Sequence, residues 1–202
     1  MTAEHILEAP LAEDLDVPLT TGLVGEVRLR RLTALDADAF AAHVAADLAR
    51  LSEFLPWPAR TSTPPGAAEW LARYDRGEDG RKLAAGVMQD GALVAGMVLL
   101  NHDEAAAIIE LGCWSVAAAE GRGVVRAACV EGLRLARSWG VERVEWHCDP
   151  QNSRSGALAR RLGFQLEGTL RSAYPLRGER RDTEVYGLIG TEIDEAIDQV
   201  RR

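Results

Sequence analysis

Lysine is nearly absent: among 23 basic residues Lys82 is the single lysine. Together with the abundance of alanine, this reads as coding bias rather than function. Cysteine is scarce and scattered. Cys113, Cys129 and Cys148 are odd in number, form no CxxC and have no histidine at metal-ligand spacing. A disulfide framework and a structural zinc site are therefore not expected, and no metal is implied. Packed free thiols in a reducing compartment are the expectation. No apolar run approaches the roughly 18–20 residues that span a bilayer. The first residues are acidic and broken by Pro10 and Pro18, unlike a secretory signal. A soluble, cytoplasmic protein with no membrane partner is expected. Excess positive charge is missing too: 23 basic against 31 acidic residues give a net charge of −8. This argues against nucleic acid, whose phosphates need clustered cations. It suits a cationic partner, such as a free amine, a polyamine or a basic N-terminus.

What is present describes one α/β domain. The 202 residues are 47% hydrophobic and 27% charged, enough for a single core without covalent staples. Residues 1–25 lack periodicity and read as a leader, so that 26–202 form the domain. Alternation over 27–32 predicts a strand, and Asp36 to Arg50 a helix capped by Thr33 or Asp36. After Leu55-Pro56-Trp57-Pro58, the Pro64-Pro65 pair opens another helix, ended by Gly77 to Gly80. Strands at 83–89 and 92–100 flank Asp90-Gly91, a two-residue hairpin turn. A strand at 106–116 contains Gly112, which marks a bulge or a close backbone approach. A helix follows over 124–139, stopped by Gly140. Then come a strand at 143–148, a short helix at 155–162, strands at 164–176 and 183–189, and a final helix from Thr191. A sheet with helices on both faces accommodates this order. The unit from 106 to 148 should be a parallel crossover.

Gly121-Arg122-Gly123 sits between a strand and a helix. Its glycines let backbone N–H groups approach an anion, and Arg122 and Arg126 add charge. The alternative is a tight turn and nothing more. The run is neither GxGxxG nor a Walker A loop, which disfavours dinucleotide and nucleoside-triphosphate enzymes. His147 and Cys148 are strand neighbours and point to opposite faces, so a Cys/His catalytic pair is disfavoured. His102, in a polar loop, is expected to be solvated, and His43 to be structural. Glu110 lies in the apolar run Ile108-Ile109-Glu110-Leu111. It is either a general base in a cavity or a satisfied structural carboxylate. Trp57 either lines an acceptor pocket or caps the core.

Four ordered segments resemble the GNAT N-acetyltransferases: Glu110-Leu111-Gly112-Cys113-Trp114, Glu120-Gly121-Arg122-Gly123-Val124-Val125, Cys148-Asp149-Pro150-Gln151-Asn152-Ser153-Arg154-Ser155 and Arg160-Arg161-Leu162-Gly163-Phe164. The match runs from about 27 to 190 and is most similar to the branch that acetylates ribosomal-protein N-termini (RimJ/RimL-like). The resemblance implies a mixed, mostly antiparallel sheet splayed in the middle, with helices on both faces. It also implies acetyl-CoA as co-substrate. The pantetheine arm would lie in the splay against backbone of Trp114, Ser115 and Val116, with Asn152 nearby. The pyrophosphate would sit on Gly121, Arg122, Gly123, Val124, Val125 and Arg126. Ser155 would place its hydroxyl by the CoA sulfur, with Glu110 as candidate base. Trp57, Glu110, Cys113 and Tyr174 are the candidate acceptor residues. Four positions depart from the family pattern, the first being Val125 in a slot often held by Gly or Ala. Glu120 replaces the usual Gln or Arg and is expected to turn away from phosphate. Cys113 replaces an aromatic, and Tyr174 replaces a Glu proposed as base in relatives. The implied function is acetyl transfer to a primary amine, on a protein N-terminus or a small molecule. The alternative is a non-catalytic acyl-CoA-binding module. A homodimer is the form the branch suggests.

Overall fold

A computed structural model describes residues 15–75 and 82–199. Eight strands form one sheet: β1 Asp16–Pro18, β2 Val27–Arg31, β3 Leu83–Gln89, β4 Ala92–Asp103, β5 Ile108–Ser115, β6 Arg143–Cys148, β7 Gln165–Leu176 and β8 Glu179–Ile189. Their spatial order is β1-β2-β3-β4-β5-β6-β8-β7. Every neighbouring pair is antiparallel except β5 and β6, which run parallel. The helices are α1 Ala37–Ala46, α2 Leu48–Leu51, α3 Pro58–Thr61, α4 Pro64–Asp75, α5 Val124–Ser138, α6 Ser153–Arg161 and α7 Thr191–Asp198.

The two sheet faces carry separate cores. On one, β-strand side chains such as Met97, Leu111 and Val144 pack with Val124, Ala128 and Leu133 of α5 and with Ile193 of α7. On the other, Val98 and Trp114 meet Phe40 and Val44 of α1 and Trp70 and Leu71 of α4. This matches the expected α/β layering. Local chemistry sets the joints. Thr33 and Asp36 form a reciprocal capping box before α1. Asp90 and Gly91, with φ of 48° and 84°, make the hairpin turn whose left-handed positions those residues tolerate.

Several expectations need correction. The segment read as a leader contributes the edge strand β1, which pairs with β2; residues 1–14 lie outside those described. The helix expected over 36–50 breaks at Asp47, whose φ of −130° is not helical, into α1 and α2. Gly112 is not a bulge, because the β4–β5 register runs unbroken from Ala95↔Ser115 to Leu100↔Glu110. It is a close approach: a Cβ there would lie 3.0 Å from the Val98 side chain. The irregularity falls instead between Leu100 and Asp103, and this extends β4 through His102, which is half-buried rather than solvated. The helix stop at Gly77 to Gly80 lies outside the described residues.

Candidate active site

The parallel pair opens the site. β5 and β6 register only at Ile108↔Arg143, Ile109↔Val144 and Glu110↔Glu145. Beyond Glu110 the strands part, so the β6-facing edge of β5 from Leu111 onward has no strand partner. An unpaired edge is a ready template for another extended amide chain. The Ser115 carbonyl accepts from Arg50, while the Val116 N–H turns to β4 and donates to Val94 O at 3.1 Å. The Trp114 indole points away, into the aromatic cluster of Phe40, Trp57 and Trp70, with Phe40 and Trp57 each 5.8 Å from it between ring centroids. The Trp114 indole thus belongs to the core and not to the fork.

The loop after β5 leads into α5. Gly121 and Gly123 have φ of 68° and 72°, and nothing lies within 4 Å of a Cβ built on either. Among the described residues, the six successive backbone N–H groups from Gly121 to Arg126 donate to no protein acceptor; the first helical bond runs from Ala127 N to Gly123 O. They stand at the positive end of a 15-residue helix. Arg122 donates to Gly22 O at 3.4 Å, and Gly22 N–H donates to Arg122 O at 2.7 Å, so the segment after β1 braces this loop. Glu120 is held by Arg50 Nη1 at 2.5 Å and by Arg154 Nη1 at 2.5 and 2.6 Å. Two guanidiniums therefore neutralise the acid expected to turn away from phosphate. Arg50 also pairs with Asp47 at 2.6 Å, and Asp47 in turn accepts the Ala117 N–H at 3.2 Å.

On the other side of the fork, Asn152 caps α6 by accepting the Ser155 N–H at 3.2 Å. Ser155 Oγ accepts from the Trp146 indole N–H at 2.9 Å. The neighbouring Cys148 is buried, and burial above all pushes its thiol up to about 11, against a smaller opposing pull from the Ser155 hydrogen bond. This is a packed thiol, as expected. Asp149 is 4% exposed and carries three bonds: from Gln151 N–H at 2.8 Å, Arg181 Nε at 2.9 Å and the Tyr174 hydroxyl at 3.2 Å. Burial, then the Asp149 charge, push Tyr174 up to about 12. At neutral pH it is a hydrogen-bond donor, and it does not replace the missing Glu as a base.

Glu110 stands at the crotch of the fork. Its Oε2 accepts from Asn101 Nδ2 at 2.7 Å and lies 3.7 Å from His147 Nδ1. His147 Nε2 lies 3.1 Å from Glu145 Oε2. Trp57, directly before α3, has two surroundings. It joins the aromatic core, and it lines a cleft of about 690 Å³ between α3, α4 and Pro175 of β7. Cys113 faces the other core, beside Cys129 of α5, so its side chain does not reach this cleft. A smaller cleft of about 360 Å³, with Glu53, Gln151 and Arg181 in its wall, lies across β7. Sequence reading missed Arg50, Asp47 and the Arg60–Trp70 wall. No local pattern marks Arg50, which meets its partners 65 and 70 residues away.

Residues 26–165 match the family model described as an acetyltransferase (GNAT) domain. The chain belongs to the GNAT acetyltransferase family. It is 28% identical over 172 residues to the Bacillus subtilis protein named "Putative ribosomal N-acetyltransferase YdaF", covering 82% of this chain and 92% of that one. Among solved structures, Mycobacterium smegmatis RimJ in complex with CoA-disulfide superposes with a TM-score of 0.78 at 25% identity, over 94% of this chain and 96% of that one. RimL, a ribosomal L7/L12 α-N-protein acetyltransferase in complex with coenzyme A, gives 0.78 at 20% identity over 86% and 97%, a likeness of fold. The GNAT acetyltransferase thus has the mixed, mostly antiparallel, forked sheet implied by its motifs, here with eight strands. Among the described residues no group of His, Cys, Asp or Glu could hold a metal, and no helix is long and apolar enough to cross a membrane.

Proposed function

We propose that this GNAT protein transfers an acetyl group from acetyl-CoA to a primary amine, with a protein or peptide N-terminus as the favoured acceptor. The observation that carries the reading is the row of six unpaired N–H groups, Gly121 to Arg126, at the start of α5 beside an open strand edge. That pairing suits a pyrophosphate joined to an amide-bearing arm. A protein acceptor is supported by the name of YdaF, a putative ribosomal N-acetyltransferase.

In this reading Gly121, Arg122, Gly123, Val124, Val125 and Arg126 hold the pyrophosphate, and the β5 edge through Trp114, Ser115 and Val116, with Asn152, orients the arm. The attacking amine must be neutral. Glu110, directly or through water, takes the proton that the amine gives up as the new C–N bond forms. His147, 3.7 Å away, offers that proton a route outward. The departing sulfur then receives a proton as the C–S bond breaks. The Trp146 N–H donates to Ser155 Oγ, and the Ser155 hydroxyl hydrogen, which bonds the Cys148 thiol, turns from that thiol to the departing sulfur. Most of the acceleration comes from positioning, since a thioester is already reactive toward amines. Glu120, neutralised by Arg50 and Arg154, no longer favours a purely acyl-CoA-binding module.

The test is release of free CoA thiol across N-terminal peptides, polyamines and small amines. Turnover with peptides, reduced about 10-fold or more in Ser155→Ala while CoA affinity stays within about twofold, is expected. Equal turnover in the variant would remove Ser155 from the mechanism. CoA binding without turnover on any amine would move the protein to the binding class.

A further inference from the structure

We infer that the cleft between α3, α4 and β7 binds an anionic group on the acceptor, with Arg60 as the cation that meets it. The inference rests on the amine-acetyltransferase reading for the acceptor, but not for the anion preference itself.

The cleft walls are Pro56, Trp57, Trp70 and Pro175, and its charges are Arg60, Arg73 and Glu69. Arg73 is paired with Glu69 at 2.9 Å along α4. Among the described residues no hydrogen bond or ion pair joins the Arg60 side chain to the protein. The cleft is thus locally positive on a chain of net charge −8. A guanidinium left unpaired beside indole rings presents a fork of donors to a carboxylate or phosphate, while the rings take apolar area.

The Arg60 side chain is exposed, while its backbone is fixed. Its backbone is pressed against α4: a Cβ on Gly66 would fall 1.8 Å from the Arg60 carbonyl oxygen. The Thr61 hydroxyl, fully buried, donates to Trp57 O at 3.3 Å. The cleft also connects to the reacting centre. Trp57 and Trp70 pack on Trp114 of β5. Trp70 touches Tyr74 at 4.7 Å between ring centroids, and Tyr74, pushed up to about 12 mainly by burial, also feels the charge of Glu110. Pro175 follows Tyr174 directly in sequence. In this inference the amine lies near Glu110 and a following part of the acceptor in this cleft.

The experiment compares N-terminal peptides that differ at one position among the second to fourth residues: Asp against Asn, and phosphoserine against serine. Wild type, Arg60→Gln, Arg60→Lys and Arg161→Gln are measured; the last removes a charge from α6, away from the cleft. Two readouts are taken, kcat/KM for acetyl transfer and peptide affinity by tryptophan fluorescence with CoA present. The anionic peptides should be favoured about fivefold in wild type. The ratio should approach one in Arg60→Gln, be partly kept in Arg60→Lys and be unchanged in Arg161→Gln. A larger effect from phosphoserine assigns a phosphate, and a larger one from Asp a carboxylate. Equal treatment of charged and neutral peptides by wild type, or a preference that survives Arg60→Gln, overturns the inference. If no peptide is acetylated, the peptide reading of the function fails, and the fluorescence titration alone decides whether the cleft prefers anions.

Discussion

At the residue scale, the densest polar node near the fork is Asp149, which fixes the turn between β6 and α6. Burial raises its pKa, but the Arg181 hydrogen bond, the Gln151 N–H, the Arg181 charge and Tyr174 together bring it below the usual carboxylate value. A depressed folded-state pKa contributes stability that is complete above the unfolded value, near pH 4, and is lost as pH falls through the folded one. Asp149→Asn should therefore lower stability at pH 7 and flatten the acid limb of a stability curve below about pH 4. Denaturant unfolding at several pH values checks this, and an unchanged acid limb would mean that other carboxylates dominate there. The node also holds the Tyr174 hydroxyl and, through Arg181, the side-chain oxygen of Gln151 at 2.6 Å. Losing it should blur the start of α6, where Asn152 and Ser155 sit.

At the element scale, α3 and α4 meet where only a glycine fits. Gly66 lies under the Arg60 carbonyl, and an added methyl would need the two helices to separate. Gly66→Ala should cost about 1–3 kcal/mol, as overpacking does, and should loosen the Trp57–Trp70 wall. Thermal unfolding with near-ultraviolet circular dichroism of the tryptophans reads both. Full stability with an unchanged aromatic signal would show that α3 slides freely. This joint also shows the limits of reading sequence. The strands β3, β4 and β6, the Asp90-Gly91 turn and α5 were all legible, because alternation, turn chemistry and helical spacing are local. The loop glycines and Ser155 were legible as motif positions. The break at Asp47 was not, since it depends on Arg50 and Ala117 drawing the Asp47 carboxylate across to the β5 exit. Nor was β1, whose three residues become a strand only because β2 offers an edge. Of the two readings of Gly112, a bulge or a close approach, the structure takes the second: a glycine inside a strand records crowding as readily as irregularity, and here Val98 supplies the crowding.

At the scale of the whole molecule, the sheet is two blades hinged on three register pairs between β5 and β6. Each blade has its own antiparallel partners, β4 for β5 and β8 for β6, so the fork stays open without exposing either strand on both edges. Side chains cross the gap where the sheet does not: Arg154 at the start of α6 reaches Glu120 before α5, and Arg50 ties Glu120 back to β5. Such partly exposed bridges are weak individually, and the fork edges should open more readily than the paired strands around them. Backbone amides on the β6-facing edge of β5 beyond Glu110, together with those of Gly121 to Arg126, should exchange hydrogen faster than those paired to β4. Addition of CoA should slow both sets together, because the same molecule would cover the strand edge and the start of α5. Protection of the Gly121–Arg126 amides alone would mean that only the phosphate end is held, with the arm lying outside the fork. Protection of neither would separate the open sheet from CoA binding and leave the fork as architecture.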